Sequence, residues 1–323
     1  MEAAAPGVVR FYDLARAPES FLDAVVAGLS REQKQVPQKF LSDATGLEYL
    51  AQIRELPEYY AARAEMRITV DHIGEFSALF GGDTILIEIG GNSLGTRILL
   101  AAFRPPLYVP LDDSAERVRE AAAQLHVALP KLNISGVCAD YTRPLHLPEW
   151  SGVTYRRKLL YVPGSTIGNF TPGEAAHFLR LARRMIGDNG GMLVGVDLKK
   201  DARVLHAACN DTRGLTAQFN LSLLTRMNRE LGADFMLRAF AHHAFYDAAK
   251  GRVEMHIRAL KEQTVAIGSH VFEMREGETI HTATACKYDV EEFQKLAKDA
   301  GFSAAQVWVD AGKQFSIHGL VAS

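Results

Sequence analysis

Cysteine is scarce in this chain of 323 residues, and its spacing suggests no pairing. Cys138, Cys209 and Cys286 are odd in number, lie far apart and form no C-x-x-C motif. This argues for a reducing compartment and against both a disulfide framework and a structural zinc site. The first residues have no long apolar segment of the signal-peptide kind, and no uncharged apolar run reaches membrane length. We therefore predict a cytoplasmic protein without a membrane partner.

An excess of one charge is also lacking. The chain has 36 Lys and Arg against 38 Asp and Glu, and no basic stripe with interleaved aromatic residues, which argues against nucleic acid as a partner. A metal site is suggested by three histidines, His206, His242 and His243. Adjacent histidines on a regular element point apart, however, and no third ligand is spaced for zinc. We predict a monomer that takes a small-molecule substrate and holds no metal.

Short apolar runs alternate with helical stretches through the middle of the chain. The runs are TILIEIG, LYVPLD, ISGVCAD, KLLYVPGS and GGMLVGVDL, and one intervening helix runs from Thr171 to Gly187, with Thr171 as N-cap and Pro172 at the first helical position. This alternation predicts a parallel, Rossmann-like α/β sheet with helices on both faces. The tail predicts a helix followed by a terminal hairpin of two strands, in VEEFQKLAKDAGF, AAQVWVDAG and QFSIHGLVA.

The alternation is absent at the N-terminus and again between residues 201 and 287. Residues 9 to 60 predict short helices, and the later segment predicts one long helix followed by antiparallel strands. We therefore expect two domains. The main domain comprises residues 61–215 and 287–323, and a smaller α+β substrate-binding domain is formed by the N-terminus, 1–60, and an insertion, 216–286.

The segment IEIGGNSLGTRILL, residues 87 to 100, is the most informative local feature. A strand delivers Glu88, the pair Gly90-Gly91 turns the chain, and a helix begins near Thr96. Glycine permits a positive φ and a close approach of backbone to a ligand, and the helix N-terminus offers free N–H groups. Many strand-to-helix turns carry glycine for tightness alone, so this segment by itself is a weak signal.

The ends of the next two strands strengthen the case for a cofactor site. Asp112 closes LYVPLD, and Asp140 with Tyr141 follows ISGVC. Ligands of open parallel sheets lie outside the carboxyl ends of the strands. An acid after the second strand suits a ribose diol, and an acid-aromatic pair suits an adenine. The glycine spacing departs from G-x-G-x-x-G, which disfavours a nicotinamide cofactor.

Several longer motifs resemble one family, the histidine-specific Nα-methyltransferases of ergothioneine biosynthesis and their relatives that act on other amino acids. The motifs are VPQKFLSDATGLEYLAQIRELPEYYAARAE, GSTIGNFTP, NRELGADF, VEMHIRA and CKY, in matching order from about Val36 onward. The resemblance implies a methyltransferase domain, an added substrate domain and one S-adenosylmethionine per chain. It also implies an in-line methyl transfer to a neutral amine.

The resemblance also implies site residues, carried over position by position. Tyr59 and Asn169 match the residues that hold the amino-acid head group and orient the amine in catalysis. Gly164 matches a backbone contact near the amine, and Met255 lines the side-chain pocket. The matching cofactor positions are Gly90, Asp112, Asp140 and Tyr141, beside Glu88 and Gly91 of the same loop.

Departures from the family pattern point to a changed substrate. Ala283 and Ala285 stand where the family has a Glu and a Ser that read an imidazole, and Cys209 and Ser42 replace tyrosines. We therefore expect methylation of the α-amine of an amino acid other than histidine, with an aromatic side chain as a candidate. Two alternatives stay open: histidine itself, read by other residues, and a non-catalytic cofactor-binding scaffold, suggested by Asn92 in a shortened glycine loop.

Overall fold

The computed structural model describes residues 7–15, 19–91 and 93–323, which form two compact units. Unit 1 comprises Met1–Ala17, Ala61–Lys199 and Tyr288–Ser323, and unit 2 comprises Pro18–Tyr60 and Lys200–Lys287. The division differs from the predicted domains at three places. The strand near the N-terminus belongs to unit 1, and both the segment 200–215 and Lys287 belong to unit 2.

Strands and helices of the two units are numbered in chain order. The strands are β1 (Val9–Asp13), β2 (Thr84–Ile89), β3 (Tyr108–Asp112), β4 (Ile134–Cys138), β5 (Arg157–Val162), β6 (Gly191–Asp197), β7 (Phe240–Asp247), β8 (Arg252–Ala259), β9 (Gln263–Ile267), β10 (His270–Met274), β11 (Thr279–Cys286), β12 (Phe302–Val309) and β13 (Phe315–Ala322). The helices are α1 (Phe21–Leu29), α2 (Ala44–Arg54), α3 (Tyr60–Phe80), α4 (Thr96–Phe103), α5 (Ala115–Ala128), α6 (Pro172–Ile186), α7 (Ala202–Cys209), α8 (Leu215–Leu231) and α9 (Val290–Asp299).

Unit 1 is built on an eight-stranded sheet with the order β1-β4-β3-β2-β5-β6-β13-β12. All neighbours are parallel except β13, which runs antiparallel to both β6 and β12. Every residue of β2, β3, β4 and β6 is buried, so both faces of the central strands are covered. This confirms the predicted α/β fold with its terminal antiparallel pair.

The local signals for α6 act as the sequence predicts. Thr171 is the N-cap, its hydroxyl accepts from the Glu174 N–H, the Glu174 carboxylate accepts from the Thr171 N–H, and Pro172 is the first helical residue. This capping box satisfies two N–H groups that the first helical turn leaves without intrahelical partners. The helix therefore begins at a fixed residue after the loop that leads from β5.

The prediction of short helices from residue 9 is wrong at its start. Val9–Asp13 is a strand that pairs in parallel with β4, with Val9 beside Ile134. The strand is short and partly exposed because it forms the edge of the sheet. Its β-branched and aromatic residues favour a strand, but its partner lies more than 120 residues away in sequence, so local periodicity could not reveal it.

Unit 2 contains a three-stranded antiparallel sheet with the order β11-β8-β7 and a separate hairpin of β9 and β10. Helix α8 packs on β7 and β8, and α2 packs on α8. The core of the unit includes Leu223, Leu224 and Met227 of α8 and Ile257 of β8. The predicted long helix and the strands of 252–280 are confirmed, whereas β7 and α7 were not predicted.

No helix in the part of the chain that the structure describes combines the length and the apolar character needed to span a membrane.

Candidate functional site

The loop after β2 has the backbone conformation that its glycines were predicted to permit. Gly90 has a φ of 85° and Gly91 a φ of 67°, both in the left-handed region, and α4 begins at Thr96. A Cβ on Gly91 would lie 2.8 Å from the Pro110 side chain, whereas a Cβ on Gly90 would meet nothing nearer than Asp112 Oδ2 at 4.0 Å. Gly90 therefore borders open space in which a ligand can approach the backbone. Asn92 lies outside the described residues.

Glu88 lies beneath this loop and is fully buried. Its carboxylate accepts hydrogen bonds from the Ser93 N–H (2.9 Å), the Thr96 hydroxyl (2.7 Å) and the Tyr108 hydroxyl (2.6 Å). Burial raises the pKa of Glu88, and these donors oppose that shift. Because protein donors occupy both oxygens, we assign Glu88 the positioning of the loop rather than the direct cofactor contact that the sequence suggested.

Asp112, at the end of β3, is the acid that faces the glycine loop. Its Oδ1 accepts from the Ser114 N–H (2.8 Å) and from the Arg117 guanidinium (3.0 Å from Nε). Its Oδ2 has no hydrogen-bond partner among the described residues and faces Gly90. Burial raises the pKa of Asp112 to about 6, against the lowering effect of Arg117. The carboxylate is therefore mostly ionised at neutral pH and has one oxygen available to a diol.

Asp140 and Tyr141 follow β4, the strand on the other side of β3. Asp140 is half-exposed and accepts from the Thr142 N–H at 2.9 Å, so the carboxylate closes a turn. The Tyr141 ring packs edge-on against Phe178, with 6.1 Å between ring centroids. Burial, reinforced by the charges of Asp112 and Asp113, raises the pKa of the Tyr141 hydroxyl well above its ordinary value. The hydroxyl therefore stays protonated.

These residues fit the adenosyl part of the expected cofactor. The glycine loop, Asp112 and Asp140-Tyr141 follow β2, β3 and β4, which are neighbours in the sheet, so they share its carboxyl edge. The edge offers open space at a glycine with positive φ, an ionised acid with an available oxygen, and a half-buried aromatic ring. That set of groups matches a ribose and an adenine.

The segment after β5, the neighbour of β2 on its other side, forms a tight turn. Gly164 and Ser165 both have left-handed φ values, of 67° and 56°, and Thr166–Asn169 is a short 3-10 helix. Asn169 is exposed, and its carboxamide makes no hydrogen bond to any described residue. The predicted head-group residue thus has donors and an acceptor available at the sheet edge that carries the glycine loop.

Glu65 of α3 holds this turn and was not predicted from the sequence. Both of its carboxylate oxygens accept from the Gly164 N–H, at 2.9 and 3.0 Å. A Cβ on Gly195 of β6 would lie 2.7 Å from Glu65 Oε1 and 2.9 Å from the Phe315 ring, so a larger residue there would force these side chains to move. The one local feature of the sequence that indicates Glu65 is that it is the acidic residue of AARAE, the segment directly after LPEYY. Since the Gly164 N–H is engaged, its carbonyl is the backbone group left for a substrate.

In unit 2, Tyr59 and its neighbours are held by several polar contacts. Tyr59 is partly buried against the core of this unit, and its N–H donates to the Leu56 carbonyl at 3.1 Å. The Glu58 carboxylate accepts from the Thr212 hydroxyl at 2.8 Å. Tyr60 is buried, and its hydroxyl lies 2.7 Å from Lys200 Nζ. The LPEYY segment is therefore anchored on both sides of Tyr59.

The predicted side-chain pocket residues lie on one face of the β11-β8-β7 sheet. Met255 of β8 is opposite Ala244 of β7 and Ala283 of β11. These three residues form a row across the sheet in which a small residue lies on each side of the methionine. Ala285 is opposite Val253, further along the same face. Both alanines that flank Met255 are buried. Ala244 was not predicted from the sequence, because its place in the row depends on the pairing of β7.

A buried polar network runs beside this row. His242 Nε2 lies 2.9 Å from the Cys209 carbonyl, which can only accept, so Nε2 carries the proton and Nδ1 accepts from the Asn220 amide at 2.9 Å. Burial lowers the pKa of His242, which favours this neutral form. The Thr282 hydroxyl lies 2.5 Å from Asn220 Oδ1. Cys209 thus contributes its carbonyl to this network.

The opposite face carries a cluster of possible metal ligands. One ligand atom each of Glu254, His256 and His281 lies within 4.8 Å of the others. From the sequence we predicted no metal, and only His206, His242 and His243 were considered as ligands. The present set spans two strands, so its spacing in the sequence does not reveal it. His243 does point away from His242, since the side chains of β7 alternate between the two faces.

Two surface cavities lie away from the predicted cofactor residues. One, of about 350 Å³, is lined by β1 and α5 residues, including Phe11 and Arg119. The other, of about 650 Å³, is lined largely by residues 145–153 and by Lys158 at the start of β5, the strand end opposite to the glycine loop. Because ligands of such sheets lie at the carboxyl edge, we do not assign the cofactor to either cavity.

Comparison with known proteins finds similarity to one methyltransferase family over most of the chain. Residues 21–322 match the family described as histidine-specific methyltransferase, SAM-dependent. The chain is 36% identical over 308 residues to the histidine N-alpha-methyltransferase of Mycolicibacterium smegmatis, covering 93% of this chain and 94% of that protein. It is 35% identical to the histidine N-alpha-methyltransferase of Mycobacterium tuberculosis, covering 91% and 92%.

Among solved structures, the fold is similar to that of an S-adenosylmethionine-dependent methyltransferase from Clostridium acetobutylicum. The TM-score is 0.50 at 11% sequence identity, covering 86% of this chain and 99% of that one. At this identity the likeness supports the fold alone, and it agrees with the mostly parallel sheet of unit 1.

Proposed function

Because the chain belongs to the family of S-adenosylmethionine-dependent, histidine-specific methyltransferases, we propose that it methylates the α-amine of an amino acid, or a close derivative, other than histidine. Methyltransferase activity and the cofactor S-adenosylmethionine follow from the family itself. The proposal concerns the acceptor: its amine, its head group and its side chain. Enzymatic activity is the family's property, so we set aside the non-catalytic scaffold.

We assign the cofactor to unit 1. When bound, S-adenosylmethionine supplies an electrophilic methyl group. Asp112 would accept from the ribose through Oδ2, the oxygen that faces Gly90. Tyr141 would provide an aromatic face for the adenine, and Glu88 would keep the glycine loop in its open conformation through Ser93 and Thr96. Each of these roles uses a group at or beneath the carboxyl edge of the unit 1 sheet.

We assign the acceptor's amino-acid head group to Asn169 of unit 1. The exposed Asn169 carboxamide has both donors and an acceptor for a zwitterion. The Glu65 carboxylate accepts from the Gly164 N–H and so holds the turn. Because this N–H is occupied, the Gly164 carbonyl is the backbone group of this residue that can accept an amine proton from the substrate. Methyl transfer needs the neutral amine, and desolvation in the site lowers the pKa of an ammonium group.

The row Ala244–Met255–Ala283 is the observation that carries the proposed change of substrate. It contains no polar side chain at the place where the family resemblance implies hydrogen-bond partners for an imidazole. The neighbouring His242 cannot replace them, since both of its ring nitrogens already have partners. Two unsatisfied imidazole nitrogens at about 1–3 kcal/mol each would lower kcat/KM by roughly two orders of magnitude or more. Small flanking residues instead suit a larger apolar side chain, such as an aromatic ring.

Histidine is the second candidate, favoured by the 36% identity to the Mycolicibacterium smegmatis enzyme. A panel assay separates the two. Transfer of labelled methyl groups is measured with histidine, tryptophan, tyrosine, phenylalanine and their derivatives at equal concentrations. We expect an aromatic acceptor to exceed histidine in kcat/KM by about a hundredfold. Efficient methylation of histidine by the native protein would favour the second candidate.

A double variant tests the cause of the preference. Ala283→Glu with Ala285→Ser restores the family's polar pair and should move the preference towards histidine. The matched control is Ala249→Glu, which adds the same charge at an exposed turn of unit 2, away from the row. A shift of equal size in the control would mean that charge, and not the row, sets the preference.

A further inference from the structure

The face of the β11-β8-β7 sheet opposite to Met255 carries a row of three histidines. His256 of β8 is directly opposite His281 of β11 and His243 of β7. Glu254 lies two residues before His256 on the same face of β8, with Phe245 and Thr284 opposite it. Neither the family resemblance nor the proposed methyl transfer uses these side chains. They form a separate set of nitrogen and oxygen donors within unit 2.

The donors are close together and largely removed from water. Glu254 and His256 are only 7% and 6% exposed, and His281 is partly buried. His256 Nε2 lies 3.0 Å from Glu254 Oε2, and the rings of His256 and His281 have centroids 5.0 Å apart. One ligand atom from each residue lies within 4.8 Å of the others. Zinc bonds of about 2.0–2.2 Å place tetrahedral ligand atoms roughly 3.3–3.5 Å apart, so small side-chain rotations suffice.

The surrounding groups orient the ligands. The Thr279 hydroxyl lies 3.2 Å from His256 Nδ1, and when Nδ1–H donates to it, the Nε2 lone pair faces Glu254. The Thr284 hydroxyl lies 3.0 Å from His281 Nε2. Arg252 binds Glu254 through Oε1, at 2.6 Å, and so leaves Oε2 for another partner. Outer-shell bonds of this kind fix ring tautomers at metal sites.

A hydrogen-bonded patch without a metal is the competing explanation. Arg252 and Lys250 bring positive charge to Glu254, which weakens attraction for a cation. Both Arg252 and Lys250, however, contact Oε1 and not Oε2. The His256 and His281 imidazoles face each other, and their lone pairs are partly removed from water. Glu254 Oε2 and the two imidazoles therefore stay available as donors to a cation.

We propose that Glu254, His256 and His281 bind a divalent transition metal, with Zn²⁺ as the ion that suits this donor set. Two imidazoles and one carboxylate are an established combination for zinc, with the fourth position left for water or for His243. The ion would link β8 to β11 next to the register shift between His281 and Ala283. Its role would be structural, because no step of the proposed methyl transfer passes through it.

Zinc binding to the full-length protein, without an affinity tag and after removal of metals by a chelator, tests the proposal. Competition with a chromophoric chelator gives stoichiometry and Kd, and Co²⁺ gives a visible spectrum that reports imidazole coordination. We expect one ion per chain and a rise in Tm on addition of zinc. His281→Gln should weaken binding at least about tenfold, and Thr279→Val, which keeps all three ligands, should weaken it less.

The control is His270→Gln, which removes an exposed histidine of unit 2 from β10, outside the cluster. It should bind zinc as the native protein does. The proposal is overturned if the native protein takes up no zinc in the micromolar range, or if His281→Gln and Thr279→Val both bind as tightly as the control. Should His281→Gln fail to fold, Thr279→Val and the cobalt spectrum of the native protein still decide the matter.

Discussion

Asp112→Asn should weaken cofactor binding without weakening the fold. Asp112 is bonded to Arg117 through Oδ1, and Oδ2 faces Gly90. A purely structural ion pair and a ribose ligand therefore make opposite predictions for this substitution. If the ion pair stabilises the fold, losing the charge lowers the Tm. If the charge is retained for a ligand, losing it lowers affinity.

The raised pKa of Asp112 indicates which effect should dominate. The increase from 3.8 to about 6 means that ionised Asp112 is disfavoured in the folded protein by about 3 kcal/mol at neutral pH. For an acid with a raised pKa, stability is greatest at low pH and is lost as the pH rises from about 4 to 6. Removing the charge at pH 7 should therefore leave the Tm unchanged or raise it.

Cofactor affinity should change in the other direction. The loss of a charge-assisted hydrogen bond costs about 1.5–3 kcal/mol, which raises Kd roughly tenfold to a hundredfold. Calorimetry with S-adenosylhomocysteine, together with thermal unfolding, measures both quantities. Asp113→Asn is the matched control, since Asp113 pairs with the same Arg117 at 2.7 Å but is 39% exposed. A large fall in Tm with unchanged Kd for Asp112→Asn would refute the reasoning.

The same pKa predicts how binding depends on pH. Protonated Asp112 cannot accept from two hydroxyls as a carboxylate does, so affinity should fall as the pH drops below about 6. Asp112→Asn should flatten this dependence. If the Kd of the native protein is constant from about pH 7 to pH 5, the Asp112 charge takes no part in binding.

Two further predictions concern the turn after β5. Asn169→Ala should abolish turnover while S-adenosylhomocysteine affinity stays near native, and an equal loss of both would move Asn169 into the cofactor site. Glu65→Ala should lower kcat/KM about tenfold or more by releasing the Gly164 N–H. Glu65→Gln keeps one acceptor and should recover part of that loss; steady-state kinetics would refute this positioning role if both variants behaved alike.

Much of unit 1 follows from local sequence. TILIEI is wholly buried as β2, as a short β-branched apolar run bounded by turn residues predicts. Thr171 and Glu174 cap α6 because their side chains reach N–H groups in the same turn. Gly90 and Gly91 adopt positive φ since they lack a Cβ. In each case the residues that cause the structure lie within a few positions of one another.

The tertiary structure decided what depends on partners far away in sequence. Val9–Asp13 is a strand only because β4 offers an edge to pair with, and nothing in its own period reveals that edge. Glu65 acts on Gly164 across 99 residues of sequence.

The same reason separates the two faces of the sheet in unit 2. Strand register places Ala244 beside Met255 and brings His281 to His256, and a shift of one residue would exchange the two faces. Sequence alone identified the residue types and the family. Register, which is set by packing over the whole unit, decided which of those residues meet.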